Sequence, residues 1–283
     1  VYVIGLGLIA GALLLHGRYL LLERVLIALV LAMSLAFAVS FFLVRPDWSA
    51  LAAGLKPDVP EGGLLTVIAL IGTTIVPYNL FLHAAAARAR WADESGLAHA
   101  RADTRFSIGL GGLISIFVLA TAAATLFGTG ARIEHGGDMA RAIEPVFGPA
   151  ARWPVALGLF AAGLTSAITA PMAAAYVVTE MLPARLAVRS GLVFRVTALT
   201  ILITGVVTAS LGIRPVTLIV TAQFANGLLL PIVAAFLLIA MNRKDLLGAH
   251  RNGPVANVLG GLVVLVTFGL GLTYVLKALG AWG

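Results

Sequence analysis

Cysteine is absent from the 283-residue sequence. That removes a disulfide framework and thiolate metal ligation, and it leaves the redox compartment unread from thiol usage. Charge is scarce as well: 11% of residues are Asp, Glu, Lys or Arg against 60% that are hydrophobic, where soluble domains carry roughly a quarter charged residues. A chain with a mean hydropathy of +1.04 is excluded from a water-soluble fold. Also missing are the segments of about ten alternating apolar and polar residues that mark a membrane β-barrel, since the apolar runs here are long, unbroken and bounded by arginine. No low-complexity tract or short-period repeat interrupts them, and the longest intervening pieces, at 45–63, 88–105 and 128–154, are too short for a second folded domain.

What is present is a succession of apolar segments. A hydrocarbon core about 30 Å thick takes roughly 20 apolar residues in a helix, and each peptide group must be satisfied within its own segment. About eight spans meet this demand, at 1–16, 22–44, 62–87, 105–128, 152–182, 191–211, 214–241 and 254–279, in a single transmembrane domain covering 1–283. The predicted fold class is an all-α polytopic membrane protein.

The net charge of +7 does not point to nucleic acid, because the arginines lie in short gaps between apolar runs and not along one helix face. Alternate gaps face opposite sides of the membrane. One side collects Arg18, Arg24, Arg88, Arg90, Arg101, Arg105, Arg185, Arg189, Arg195, Arg243, Lys244 and Arg251. The other holds Arg45, Lys56, Arg132, Arg141, Arg152, Arg214 and Lys277. The richer side is expected to be cytoplasmic, which puts the N-terminus outside. Opening on Val1, with no basic flank and a short first segment, the sequence reads as a fragment; Gly5, Gly7 and Gly11 suit helix packing better than a signal peptide.

Candidate chemistry concentrates in the third segment, which runs Gly72, Thr73, Thr74, Ile75, Val76, Pro77, Tyr78, Asn79, Leu80, Phe81, Leu82, His83. Proline lacks a backbone donor and clashes with the preceding turn, so Pro77, with Gly72 ahead of it as a further break residue, is expected to interrupt the helix near Thr73 to Val76 and strand carbonyl oxygens there. Unwound backbone at membrane depth is tolerated when it is buried in protein or lines a cavity, and transporters use such carbonyls as ion sites. Tyr78, Asn79 and His83 add polar groups where these are costly. The competing reading is a simple kink with an interfacial tyrosine, an interhelical asparagine and an interfacial histidine. The seventh segment carries Gln223, Asn226 and Gly227 ahead of Pro231, a second expected break, with interhelical hydrogen bonding as the plainer alternative. Thr165, Ser166, Thr169 and Pro171 in the fifth segment read as structural. No Asp or Glu lies near the middle of any span; Glu23 and Glu180 sit toward segment ends. A buried divalent cation needs formal negative charge, so either the ligand is not a cation or a carboxylate comes from outside this sequence.

The stretch from Gly72 to His83 resembles the hallmark of the Nramp family of proton-coupled divalent metal transporters on its sixth helix, Gly-Ala-x-x-Met-Pro-His-Asn-Leu-Tyr-Leu-His. His16, Gly17, Arg18, Tyr19 and Glu23 are similar to that family's junction of helices four and five, and Gln223, ahead of Pro231, to its metal-facing glutamine on helix ten. The resemblance covers essentially the whole chain as helices four to eleven. It implies an inverted-repeat transporter of the amino acid-polyamine-cation type with its first three helices missing, and a metal between two broken helices. It further implies that Thr73 offers a carbonyl and Gln223 a side-chain oxygen, that an Asp and an Asn come from the absent first helix, and that His83 lies near the proton route.

Two departures bear on selectivity. Val76 stands at the position of the family's metal-binding methionine, and Tyr78 at that of its first histidine. A thioether favours softer transition metals, whereas valine offers no donor and leaves room for the waters that Mg²⁺ usually keeps. Tyrosine removes a group that titrates near neutrality. Arg195 resembles an arginine of the ninth helix, without the second arginine expected shortly after it.

The expected function is a secondary transporter of Mn²⁺ or Fe²⁺ working by alternating access and coupled to protons, in a bacterial inner membrane. The alternatives are a Mg²⁺ or broad divalent transporter without proton coupling, an amino-acid-type solute carrier, and a metal sensor. No cofactor is expected beyond the transported cation, and no span pairs a nucleophile with a base as an enzyme would require.

Overall fold

The computed structural model describes residues 2–16, 20–56, 59, 61–74, 76–91, 93–127, 129–130, 133–181 and 190–278; within these, the side chains at 16, 20–23, 74, 77, 78, 81, 89, 277 and 278 are not described. Among the described residues there are helices and no strands. They run α1 (Tyr2–His16), α2 (Leu20–Val44), α3 (Trp48–Ala53), α4 (Leu64–Thr74), α5 (Pro77–Arg90), α6 (Leu97–Leu126) and α7 (Glu144–Phe147), then α8 (Arg152–Glu180), α9 (Ser190–Ser210), α10 (Pro215–Ala240), α11 (Lys244–Leu247) and α12 (Pro254–Ala278). Among the described residues six stretches are long and apolar enough to cross a membrane: Arg24–Val44, Glu94–Leu126, Glu144–Glu180, Ser190–Ser210, Pro215–Ala240 and Pro254–Leu276. Tyr2–Leu15 and Leu64–Thr73 are shorter apolar helices. The all-α polytopic class expected from the sequence is borne out.

Contacts divide the chain into two units, one of residues 1–56 and 81–216, the other of 57–80 and 217–283. The first is organised around α2 and α8, which pack on each other and, between them, on α1, α6 and α9. One core cluster joins Ala10, Leu26, Ala161, Leu164, Ile168 and Leu202; another joins Ala36, Phe37, Ala142, Ile143, Ala151 and Val155. Small residues let the helices approach, the rule in a solvent that gives apolar side chains no drive to associate. A Cβ on Gly158 would lie 2.6 Å from Met33 Sδ, and one on Gly7 would collide with Val206. Gly136–Ala142, α7 and Gly148–Ala151 fold onto this body, the first and last as 3₁₀ turns, with Ile143 fully buried. Asp138 holds the start of the first, accepting from the backbone N–H groups of Glu134 and His135, each at 3.0 Å.

The second unit comprises α4, the first turn of α5, most of α10, α11 and α12. Phe224 of α10 meets Tyr274 of α12 edge to face, with ring centroids 4.5 Å apart. At the other end of the pair Asn242 and Asn257 exchange amide hydrogen bonds of 2.7 and 2.8 Å. The outer surface of α12 exposes Val255, Val258, Leu262, Leu265 and Phe268, an arrangement suited to hydrocarbon and not to water.

One sequence expectation is corrected. Pro231 does not break its helix, because α10 is continuous from Pro215 to Ala240. Proline removes a single hydrogen bond, the one to the carbonyl four residues earlier, and in a water-free surrounding the rest of the ladder has no competing partner. Gly72 likewise sits inside α4, two residues short of its end at Thr74, and is not itself the break.

Candidate functional site

The third apolar segment forms two helices, with α4 ending at Thr74, α5 starting at Pro77 and Val76 non-helical between them. Ile75 lies outside the described residues. The cause is local: an α-helix would pair the Thr73 carbonyl with the N–H of residue 77, and proline has none. The last carbonyls of α4 thus end at a helix C-terminus, the negative end of its dipole. Thr73 Oγ1 donates to the Leu70 carbonyl at 2.7 Å, which turns its hydroxyl back along α4. Val76 is buried, and its carbonyl accepts from the Asn79 N–H at 2.9 Å, closing the first turn of α5.

Gln223 is brought to this break by backbone contact within the same unit. A Cβ on Gly72 would collide with the Gln223 carbonyl oxygen and lie 3.0 Å from Gly227 Cα, and a Cβ on Gly227 would strike the Ile68 carbonyl oxygen. Main chain therefore crosses main chain, with the Gln223 backbone carbonyl against Gly72, the residue before Thr73. Gln223 and Asn226 are half-buried on consecutive turns, with Asn226 Nδ2 donating to Gln223 Oε1 at 3.0 Å. Pro231 deprives the Gly227 carbonyl of its helical partner in the same way that Pro77 deprives Thr73. At this crossing main chain thus lies against main chain, with the Gln223–Asn226 amide pair on the same stretch of α10. Among the described residues no group of three or more His, Cys, Asp or Glu side chains is placed to hold a metal.

The other predicted residues fall elsewhere or outside the description. Asn79 is exposed on the first turn of α5. The side chains of Tyr78 and Pro77 are not described, nor are those of His16 and Glu23, while Gly17, Arg18 and Tyr19 lie outside the described residues. His83 and Arg195 belong to the first unit, both exposed. His83 Nε2 lies 3.2 Å from Thr104 Oγ1 on α6, and that hydroxyl also donates to the Ala100 carbonyl at 2.8 Å. Thr104 was not among the residues singled out from the sequence, since one threonine near a helix start carries no signal of its partner on another helix. The Gly72–Gly227 pairing was equally invisible, because its members are far apart in sequence.

The Nramp family model, described as natural resistance-associated macrophage protein-like, matches residues 1–277. The chain is 27% identical over 259 residues to the divalent metal cation transporter MntH of Deinococcus radiodurans, a match covering 88% of this chain and 58% of that protein. It is 26% identical over 267 residues to the protein of that name from Caldanaerobacter subterraneus, covering 90% and 62%. To the one from Clostridium acetobutylicum it is 22% identical over 236 residues, covering 81% and 53%. The chain thus spans a little over half the length of these curated relatives. A match running almost end to end, on an all-helical membrane protein whose third apolar segment breaks at Pro77 beside Gln223, establishes that this chain belongs to the Nramp family.

Proposed function

We propose that the protein is a secondary transporter, not an enzyme, that moves divalent metal cations across a bacterial inner membrane by alternating access. The observation that carries this reading is the interruption between α4 and α5 at Pro77, on a helix α4 whose Gly72, next to Thr73, is in backbone contact with Gln223 and Gly227 of α10. The relatives' names supply the substrate class.

In this reading the cation exchanges hydration water for the Thr73 carbonyl and the Gln223 amide oxygen, while Val76 lines the site without coordinating. The oxygens are neutral, so the compensating negative charge comes from a carboxylate outside the described residues. Alternation of access follows from the separation of the two half-helices, α4 ending at Thr74 and α5 starting at Pro77. His83, whose ring lies against Thr104, is the proton-handling group of a coupled cycle.

Mn²⁺ or Fe²⁺ is the default substrate. Val76 favours a second reading: a buried side chain with no donor atom removes the preference for soft metals and suits Mg²⁺ or a broad range of divalent ions without proton coupling. Uptake of Mn²⁺ into proteoliposomes, with Mg²⁺, Ca²⁺ and amino acids as competitors, tests both. Competition by divalent metals and loss of uptake in Gln223→Ala are expected. Uptake of an amino acid with indifference to metals would replace the assignment with a solute carrier, and metal binding without any flux would replace it with a sensor.

A further inference from the structure

We propose that the groove between α10 and α12 seats one acyl chain of an anionic phospholipid, whose phosphate is held by Lys244 and Arg251 on the loop joining the two helices. The groove has a volume of about 210 Å³ and lies wholly within the second unit. On α10 it runs from Leu230 to Met241 and on α12 from Ala256 to Val263, with Asn252 at its loop end. Of its lining residues only Asn252 has a polar side chain. At 1.5 Å per residue the α10 wall is roughly 17 Å long and the α12 wall roughly 11 Å, which brackets the hydrocarbon of one leaflet, about 15 Å. Leu237, Met241 and Val263 are exposed along it, so it opens sideways. Water gains no hydrogen bonds from such walls, and hydrocarbon fills them. About 210 Å³ spread over that length admits one chain and not a second helix, which with its side chains is about 10 Å wide.

The charge at the loop end selects a phospholipid. The Asn252 N–H donates to the Met241 carbonyl at 2.9 Å, so the two ends of the 242–251 loop meet where the groove ends. Arg243 on that loop is engaged by Asp245, with Nε donating to Oδ1 at 3.0 Å. Lys244 and Arg251 are exposed and, among the described residues, have no carboxylate partner. Two unpaired cations at the end of an apolar slot match a phosphate at the end of an acyl chain, and basic residues at a membrane surface draw anionic lipid. Exposed Leu246 on the same loop suits burial at the headgroup boundary. The positive-inside tendency places basic residues in a loop, but it requires no slot beneath them.

The test is titration of the detergent-purified protein with dioleoylphosphatidylglycerol or dioleoylphosphatidylcholine. Bound lipid is read by native mass spectrometry, and the rise in thermal midpoint is followed in parallel. Wild type is expected to bind the anionic lipid more tightly. Lys244→Gln combined with Arg251→Gln should abolish that preference, at roughly fivefold for each residue removed. Ala256→Phe sets a ring into the groove from an exposed position. It should weaken both lipids at least about tenfold, because several methylenes are then excluded. If the charge variant binds both lipids as wild type does, the basic residues are topology signals only and the proposal is overturned. If Ala256→Phe leaves lipid binding intact, the headgroup is attracted without a seated chain, which overturns it equally. No lipid effect in wild type would mean that polypeptide covers the groove. A changed oligomeric state in Ala256→Phe, with lipid binding retained, would assign the groove to a second copy of the chain. Either result overturns the proposal. Should Ala256→Phe not elute as a monodisperse species, Ala234→Leu fills the same groove from α10.

Discussion

Gly72 of α4 and Gly227 of α10 are in backbone contact: a Cβ added to Gly72 would lie 2.5 Å from the Gly227 nitrogen, and one added to Gly227 would lie 2.7 Å from Ile68 Cγ2. Such approach is what small residues allow between membrane helices, where dispersion and Cα–H···O contacts replace the hydrophobic drive.

Gly227→Ala and Gly72→Ala are expected to push α4 and α10 apart, because the opposing atoms are main chain and have no rotamer to yield. Each should cost roughly 1–3 kcal/mol, the scale of an overpacked core, read as a lower thermal midpoint in detergent. A midpoint unchanged from wild type in both variants would mean that the crossing is looser than described.

Pro77→Ala restores an N–H to the position that would cap the Thr73 carbonyl. The helix is then expected to run continuously from α4 into α5, and Mn²⁺ affinity to fall at least about tenfold, the equivalent of about 1.4 kcal/mol. Calorimetric titration measures this directly. Unchanged affinity would show that the Thr73 carbonyl contributes no coordination.

Val76→Met places a thioether in a buried position beside the break. It should tighten Cd²⁺ and Mn²⁺ relative to Mg²⁺, since soft sulfur adds a ligand that Mg²⁺ does not use. Competitive uptake in proteoliposomes gives the ratio, and equal metal preference in both forms would count against Val76 lining the site.

Asp138 gives a pH-dependent prediction outside the membrane-spanning helices. Hydrogen bonds from the His135 and Glu134 N–H groups, assisted by the charges of Arg141 and His135, hold its carboxyl below the ordinary value of 3.8. A group whose pKa is depressed on folding adds stability above its unfolded value and loses it as pH falls through the folded one. Asp138→Asn should therefore lower the thermal midpoint at neutral pH, with the difference from wild type closing below about 3.8. A difference that stays constant to lower pH would mean that the carboxylate charge is not what holds the 134–138 turn.

Asn257→Ala removes both hydrogen bonds exchanged with Asn242 at the α10–α12 junction. A loss of about 1 kcal/mol is expected, within the range for polar contacts between membrane helices. Hydrogen exchange at the end of α10 and the start of α12 should rise together. If only the α12 end loosens, the pair does not couple the two helices.

The membrane class, the helices and the interruption at Pro77 were determined by the sequence alone, each for a covalent or compositional reason. A run of apolar side chains has no stable home in water, a peptide group in hydrocarbon must pair within its own helix, and proline brings no N–H wherever it stands. Those properties travel with the residue. What became of Pro231 was decided by the tertiary structure, for the same missing N–H that opens α4–α5 is absorbed within an unbroken α10. Tertiary structure also decided that Gly72 is a contact and not a hinge, that His83 finds Thr104, and that Gln223 stands next to the break. Each of these depends on which distant stretch of chain arrives opposite a residue, and helix packing in lipid is set by the mutual fit of two surfaces, of which a single segment carries only one.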